Sequence, residues 1–392
     1  MSRAAVLALL ALGLLLALAA RLGAQEAALQ GPLLAADTAQ QDRIVVYDLG
    51  GAARRELRFG PGWVRVWGFS PDGCRLLFTR SDGPDASRVY TARLDGSDVR
   101  ALVQYDELLP DAWRAWNPQW QPGGSRVAFT LIRDVPQRDG GVRRTYHIAW
   151  VSADGGAPQL YSASGDEHEP QWSPDGAWLA YIAYDERPAG ADIYSTAVPT
   201  PAGQTGPPAP LLREADLWLV RADGQAKQRL TSFPTGSVRG PRWSPDGDLI
   251  GFVYSPSPGN DQFYMIAGQA GALPTQLSQQ WSLILDLTWL PDGSAMLAAV
   301  RDFRDVRDNR LWRIPLLGWA DTDAALYLDN PALAYADYPR FSADGRWLAF
   351  RSAYALAVVD TATQSWAIFD EALPGNTPPV WSPAGFQGET AC

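Results

Sequence analysis

Asp166-Glu167-His168-Glu169 is the densest polar cluster in the sequence. Carboxylates beside an imidazole are ordinary ligands for a metal or a cationic group, and a solvated loop is the plainer reading. The chain has 2 histidines, His147 and His168. His147 opens an apolar run and reads as a strand residue. No Gly-x-Ser-x-Gly elbow, His-Glu-x-x-His pair or repeated Cys-x-x-Cys occurs. The nucleophile turn of a serine hydrolase and the usual zinc signatures are therefore missing. Asp302, Asp305 and Asp308 alternate with Arg301, Arg304 and Arg307. Without the turn glycine and terminal glutamate of a calcium loop, they read as a self-neutralising hairpin. The sequence calls for no metal and no cofactor, and leans away from an enzyme without deciding the matter.

A second set is scattered along the chain: Trp113, Trp116, Trp281 and Tyr335, beside Asn117, His168, Glu169, Asp286 and Asp337. Aromatics offer contact area, while carboxylates and amides offer directed hydrogen bonds, a mixture suited to a peptide or a sugar. The alternative is that the aromatics fold inward and pack. Residues so far apart need an architecture to gather them.

That architecture is a repeat. Trp172-Ser173-Pro174-Asp175-Gly176 recurs letter for letter as Trp243 to Gly247. Looser copies run from Phe69 to Gly73, Trp120 to Gly124, Trp289 to Gly293, Phe341 to Gly345 and Trp381 to Gly385. Most intervals between the closing glycines lie between 40 and 52, with one of 71. A period in this range marks a repeat architecture. Ser, Pro, Asp and Gly suit the four positions of a type I turn. The aromatic ahead of the turn ends one strand, and Arg75-Leu76-Leu77-Phe78 or Trp347-Leu348-Ala349-Phe350 begins the next. Third and fourth short runs follow, as in Leu217 to Val220 and Gln228 to Thr231. Four short strands, repeated, describe a propeller blade.

From Phe69 to about Gly385 these units resemble the TolB-type β-propeller repeats of exported bacterial proteins. The resemblance implies an all-β fold, a single closed propeller of four-stranded antiparallel blades. It implies much less about function, since this repeat serves unrelated tasks. Six full units plus a composite give seven blades, with a six-bladed ring as the alternative. In the composite, Ile44 to Asp48 and Arg55 to Phe59 match third and fourth strands, and Pro379 to Pro383 matches a first strand with its turn. Sharing the closing blade between the two ends of this region would remove two sheet edges. The loops from fourth to first strand and from second to third strand then share one face. They are long and varied, as binding loops on a rigid scaffold usually are.

The remaining features set the context. The chain of 392 residues has 46% hydrophobic and 19% charged residues, which supports a large packed core. A net charge of -10 argues against a nucleic-acid partner. Residues 1–24 read as a signal peptide or an N-terminal membrane anchor, with Arg3 ahead of the uncharged run Ala4 to Ala20. Residues 25–42 read as a spacer and 43–392 as the propeller domain. The long interval holds a Pro- and Gly-rich insertion, 185–214, expected to be a mobile surface loop. Cys74 and Cys392 are the two cysteines, and they fall in blades that a closed ring makes neighbours. Export would favour their pairing, while a second strand after Phe386 would carry Cys392 to the opposite face.

Two functional classes follow. One is an exported, monomeric, non-enzymatic propeller in the periplasm or outside the cell that binds a protein or surface ligand, a role in the cell envelope that the TolB-type resemblance implies. The other is a propeller that binds or cleaves carbohydrate.

Overall fold

The computed structural model describes residues 28–81, 87–103, 113–136, 138, 140–161, 166–188, 211–278, 281, 283–301, 308–353, 355–369 and 377–392. The segment 1–24, the middle of the insertion (189–210), Asp302 and Asp305 lie outside the described residues. The chain folds as an all-β propeller of four-stranded antiparallel blades. Trp63–Phe69, Arg75–Ser81, Ser87–Arg93 and Arg100–Ala101 make one sheet in sequence order. Sheets beginning at Trp113–Trp120, Leu283–Trp289 and Ala336–Phe341 repeat the pattern. The strands from Glu167–Trp172 to Thr275–Gln276 form two such meanders, joined by one parallel bridge between Ala215 and Ser237. The ends of the insertion are strand, because Trp178–Pro188 pairs with Leu211–Arg221 along its full length.

The remaining sheet takes strands from both ends of the described chain, in the order Val380–Trp381, Leu33–Asp37, Ile44–Asp48 and Ala53–Leu57. Leu34 pairs with Trp381 and Ala35 with Val380. This corrects the spacer expected at 25–42. Leu33–Asp37 is a strand, and all five of its residues are buried. A strand covered on both faces loses the apolar-polar alternation by which half-exposed strands are read. The N-terminal region therefore supplies three strands of this sheet, and the C-terminal region only the innermost.

The turn motif explains its own composition. In the exact copy, the Ser173 hydroxyl accepts the Trp178 N–H (2.9 Å) and donates to the Asp175 carboxylate (2.5 Å). Asp175 also accepts the Ala177 N–H, and the Gly176 N–H closes the turn on the Ser173 carbonyl. Ser244 and Asp246 repeat this network. Gly176 sits at φ +69°, and a β-carbon there would lie 2.5 Å from the Pro122 carbonyl oxygen of the preceding turn. Glycine is required on both counts.

The aromatic ahead of the turn ties repeats together. The indole N–H of Trp172 donates to the Gln119 carbonyl, Trp243 to Gln171, Trp289 to Arg242 and Trp381 to Arg340. Each bond joins one innermost strand to that of the preceding repeat. Just beyond the turns, Phe78, Phe129, Tyr181, Phe252 and Phe350 hold matching positions in the second strands, and all are buried. Burying such a ring stabilises by about 1.5–3 kcal/mol, so these positions hold the core together.

After Trp381 the chain clamps back onto the N-terminal strands. Ser382 exchanges hydrogen bonds with the Leu33 backbone. The Glu389 carboxylate accepts from Leu29 N–H and pairs with Arg55. The Phe386 ring packs where β-carbons on Gly31 and Gly73 would stand. Cys392 reaches Cys74 with the sulfurs 1.99 Å apart and the Cα atoms 5.4 Å apart, a disulfide. Residues 389–391 form a short 3-10 helix, so no second strand carries Cys392 away.

Candidate functional site

A central channel of about 860 Å³ runs between the innermost strands, and every sheet contributes to its wall. Its lining follows from a backbone irregularity. The pairing of first to second strand shifts between Val66 and Gly68, Trp116 and Gln119, His168 and Gln171, Arg239 and Arg242, Ile284 and Asp286, and Asp337 and Arg340. A bulge re-aims the side chain it carries. In four strands the bulged residue is left-handed and precedes proline: Asn117 (φ 50°), Glu169 (φ 57°), Gly240 (φ 61°) and Tyr338 (φ 53°), ahead of Pro118, Pro170, Pro241 and Pro339. Proline is tolerated because the innermost strand is an edge, with no neighbour waiting for its N–H. For a residue other than glycine this backbone costs on the order of 1–3 kcal/mol, a strain typical of functional surfaces. All four bulged residues line the channel.

Charged groups meet at that level. Asp286 is 7% exposed and lies between two guanidiniums, Arg242 at 2.8 Å and Arg340 at 2.6 Å. Burial opposes its ionisation, but Arg340 and Arg242 outweigh burial and hold the carboxyl below its usual range. Arg239 pairs with the buried Asp261, which also accepts the Ile284 N–H. The Glu169 carboxylate accepts the Gly240 N–H at 2.7 Å and stands 3.6 Å from His168. Burial pushes Glu169 up, and His168, the Gly240 N–H and Arg242 together bring it below normal. Asp337 behaves differently. It is 5% exposed and paired with Arg351, yet burial, with Asp286 nearby, pushes it up to about 6.

The structure gathers only part of the expected set. Trp116, Asn117, Glu169 and Asp286 line the channel. Asp337 lies beside it on the strand carrying Tyr338 and Arg340. His168 stacks on Tyr184, with centroids 5.0 Å apart. Tyr335 is exposed but outside the channel lining. Trp113 and Trp281 are corrected, being 0% and 5% exposed and packed in the core. Trp113 opens an innermost strand rather than ending a loop, and its indole turns into the packing between sheets. Trp281 bridges to Asp261 and packs on Phe263 and Trp312.

The acidic cluster does not converge either. Glu167 is fully buried against Lys227 at 2.8 Å, Asp166 faces Arg143, and Glu169 turns to the channel. Glu167, His168 and Glu169 belong to the innermost strand itself, not to a loop ahead of it. His147 sits within Val142–Ser152 rather than at its start. Sequence reading missed Arg239, Arg242 and Arg340, the channel's basic groups. The available signal was the proline two residues before the repeat aromatic, which brackets Gln119, Gln171, Arg242 and Arg340.

No family model matches the chain. It is 29% identical over 145 residues to an uncharacterized protein of Agrobacterium fabrum (strain C58), covering 35% of this chain and 45% of that protein. It is 26% identical over 111 residues to the Tol-Pal system protein TolB of Legionella pneumophila (strain Corby), covering 28% of this chain and 24% of TolB. The matches thus span less than half the length of these relatives. Among solved structures, puromycin hydrolase aligns with a TM-score of 0.60 at 15% identity, over 92% of this chain and 56% of the hydrolase. That likeness concerns the fold alone. The repeats are TolB-like in sequence.

Proposed function

We propose that this chain is an exported, non-enzymatic propeller of seven blades, closed by the sheet its two ends share, whose channel face binds a protein partner in the cell envelope. The observation that carries the reading is the bulge row. One backbone device recurs around the channel, while its side chains change from Asn117 to Glu169, Gly240 and Tyr338. A constant scaffold that displays different groups at one level is built to recognise an asymmetric ligand. The similarity to the Tol-Pal system protein TolB supports a protein as that ligand, and the apolar run Ala4 to Ala20 supports a propeller beyond the cytoplasmic membrane, cleaved or anchored.

The test is photo-crosslinking in the native envelope from probes at Trp116 and Tyr338, compared with probes at Asp175 and Asp246 in the turns. Adducts with one protein from the channel probes alone support the reading. Adducts from the turn probes alone overturn the choice of face. Release of product from a polysaccharide panel by the purified chain replaces the reading with the carbohydrate one.

A further inference from the structure

A second cavity, of about 250 Å³, opens beside the channel among the first, second and third strands of two adjoining sheets. Its walls include Trp63, Arg65, Arg114, Trp116, Arg144 and Tyr146. Trp116 also lines the channel, so the two spaces meet across one indole. Three guanidiniums face this pocket in a protein whose net charge is -10. One carboxylate serves two of them, since Asp134 holds Arg114 at 3.2 Å and Arg144 at 2.7 Å. Arg65 makes no ion pair among the described residues and lies over the Trp116 ring, 4.7 Å from its centroid. Its acidic neighbour Asp37 is 2% exposed, and burial pushes that carboxyl up to about 7, which weakens it as a counter-charge. Trp63 is 51% exposed and leaves an open apolar wall at the mouth.

Excess positive charge between aromatic walls selects an anionic group carried on an apolar or amide-bearing stem. Recognition by side chains alone distinguishes this pocket from backbone-built phosphate cradles at helix N-termini. The Trp116 face beneath Arg65 is occupied, so it does not serve as a stacking platform for a sugar ring. We infer that this pocket is an anchor for an acidic side chain of a bound polypeptide, with Arg65 and Arg144 reading the carboxylate and Trp63, Trp116 and Tyr146 enclosing its stem. The inference rests on the protein-binding reading of the channel and names the chemistry of the segment that would enter beside it.

The experiment titrates the full chain with an acetylated, amidated hexaglutamate peptide, followed by tryptophan fluorescence and calorimetry. The expected result is saturable binding that weakens as salt rises. Arg144→Gln, an exposed position that leaves Arg114 with Asp134, should weaken binding at least about tenfold, the value of one charge-assisted hydrogen bond. Trp63→Ala should weaken it too, and neither variant should lower the melting temperature by more than a few degrees. Three results would overturn the assignment: equal binding of hexalysine, stronger binding of inorganic phosphate or trigalacturonate, or full binding retained in both variants. If crosslinking finds a protein partner but hexaglutamate does not bind, the pocket assignment fails alone. If hexaglutamate binds as expected but no partner is crosslinked, the anchor stands and the broader reading fails.

Discussion

Two rows of residues encircle the molecule, a few positions apart on the same strands, and they obey opposite rules. In the two exact copies of the turn row the side chains repeat because their partners lie inside the same turn. Ser173, Asp175 and Gly176 do what Ser244, Asp246 and Gly247 do. In the bulge row the backbone is constant and the side chains vary. Even the carboxylates part ways. The Ser173 and Ser244 hydroxyls hold Asp175 and Asp246 below the normal range, whereas burial pushes Asp37 up to about 7 and Asp337 up to about 6.

The largest disturbance should come from Asp286→Ala. It leaves Arg242 and Arg340 side by side without their shared carboxylate, and stranding buried charge costs about 3–5 kcal/mol. Partial exposure of the guanidiniums should bring the value to the lower end in urea unfolding. Double replacement, Asp286→Ala with Arg340→Gln, should recover much of the loss, and failure to do so would deny the ion cluster its role.

Within the turn row, Gly176→Ala should cost about 2–3 kcal/mol, from left-handed strain plus the Pro122 carbonyl. Gly293→Ala is the matched control. Its φ is +70°, but the nearest foreign atom to a β-carbon there is 3.9 Å away, so only the strain of roughly 1 kcal/mol remains. Equal losses in thermal melts would show that packing between turns contributes nothing.

The pH profile separates the turn aspartates from two buried ones next. Asp37 and Asp337 have folded-state values above the 3.8 of an ordinary aspartate, so the folded state favours their protons. Their contribution is complete below about 3.8 and is lost as pH rises through about 6 and about 7. The turn aspartates have depressed values, so their contribution is present above 3.8 and is lost as pH falls through their lower folded values. Melting temperatures should therefore fall between pH 4 and 8, and Asp37→Asn should flatten that fall. An unchanged slope in the variant would rule out Asp37 as its source.

The smallest effect belongs to the indole ties. Trp289→Phe removes the N–H donated to the Arg242 carbonyl and should cost about 1 kcal/mol in chemical unfolding. Phe341 fills the same position in another repeat without such a bond, which sets the tolerance expected.

The turn row was legible in the sequence because its chemistry is local, with the partners of Ser173 lying within five residues. The bulge row was written there too, as Asn117-Pro118, Glu169-Pro170, Gly240-Pro241 and Tyr338-Pro339. It reads only once the innermost strand is known to be an edge. Leu33–Asp37 stayed hidden because burial on both sides erased its alternation. Trp113 and Trp281 lie near strand starts, and nothing in a tryptophan says whether its strand turns it outward or into the neighbouring sheet. The arginines escaped notice because their carboxylate partners lie far away in sequence, as Arg242 and Arg340 do from Asp286.

The pairing of Leu34 with Trp381 has a consequence in time. During synthesis, the N-terminal strands emerge long before the strand that completes their sheet. Until Val380 and Trp381 arrive, the edge of Leu33–Asp37 is unsatisfied and open to any other extended chain. The newborn protein must therefore travel with an adhesive flank, and a companion that shields this edge would matter most before the last blade is made.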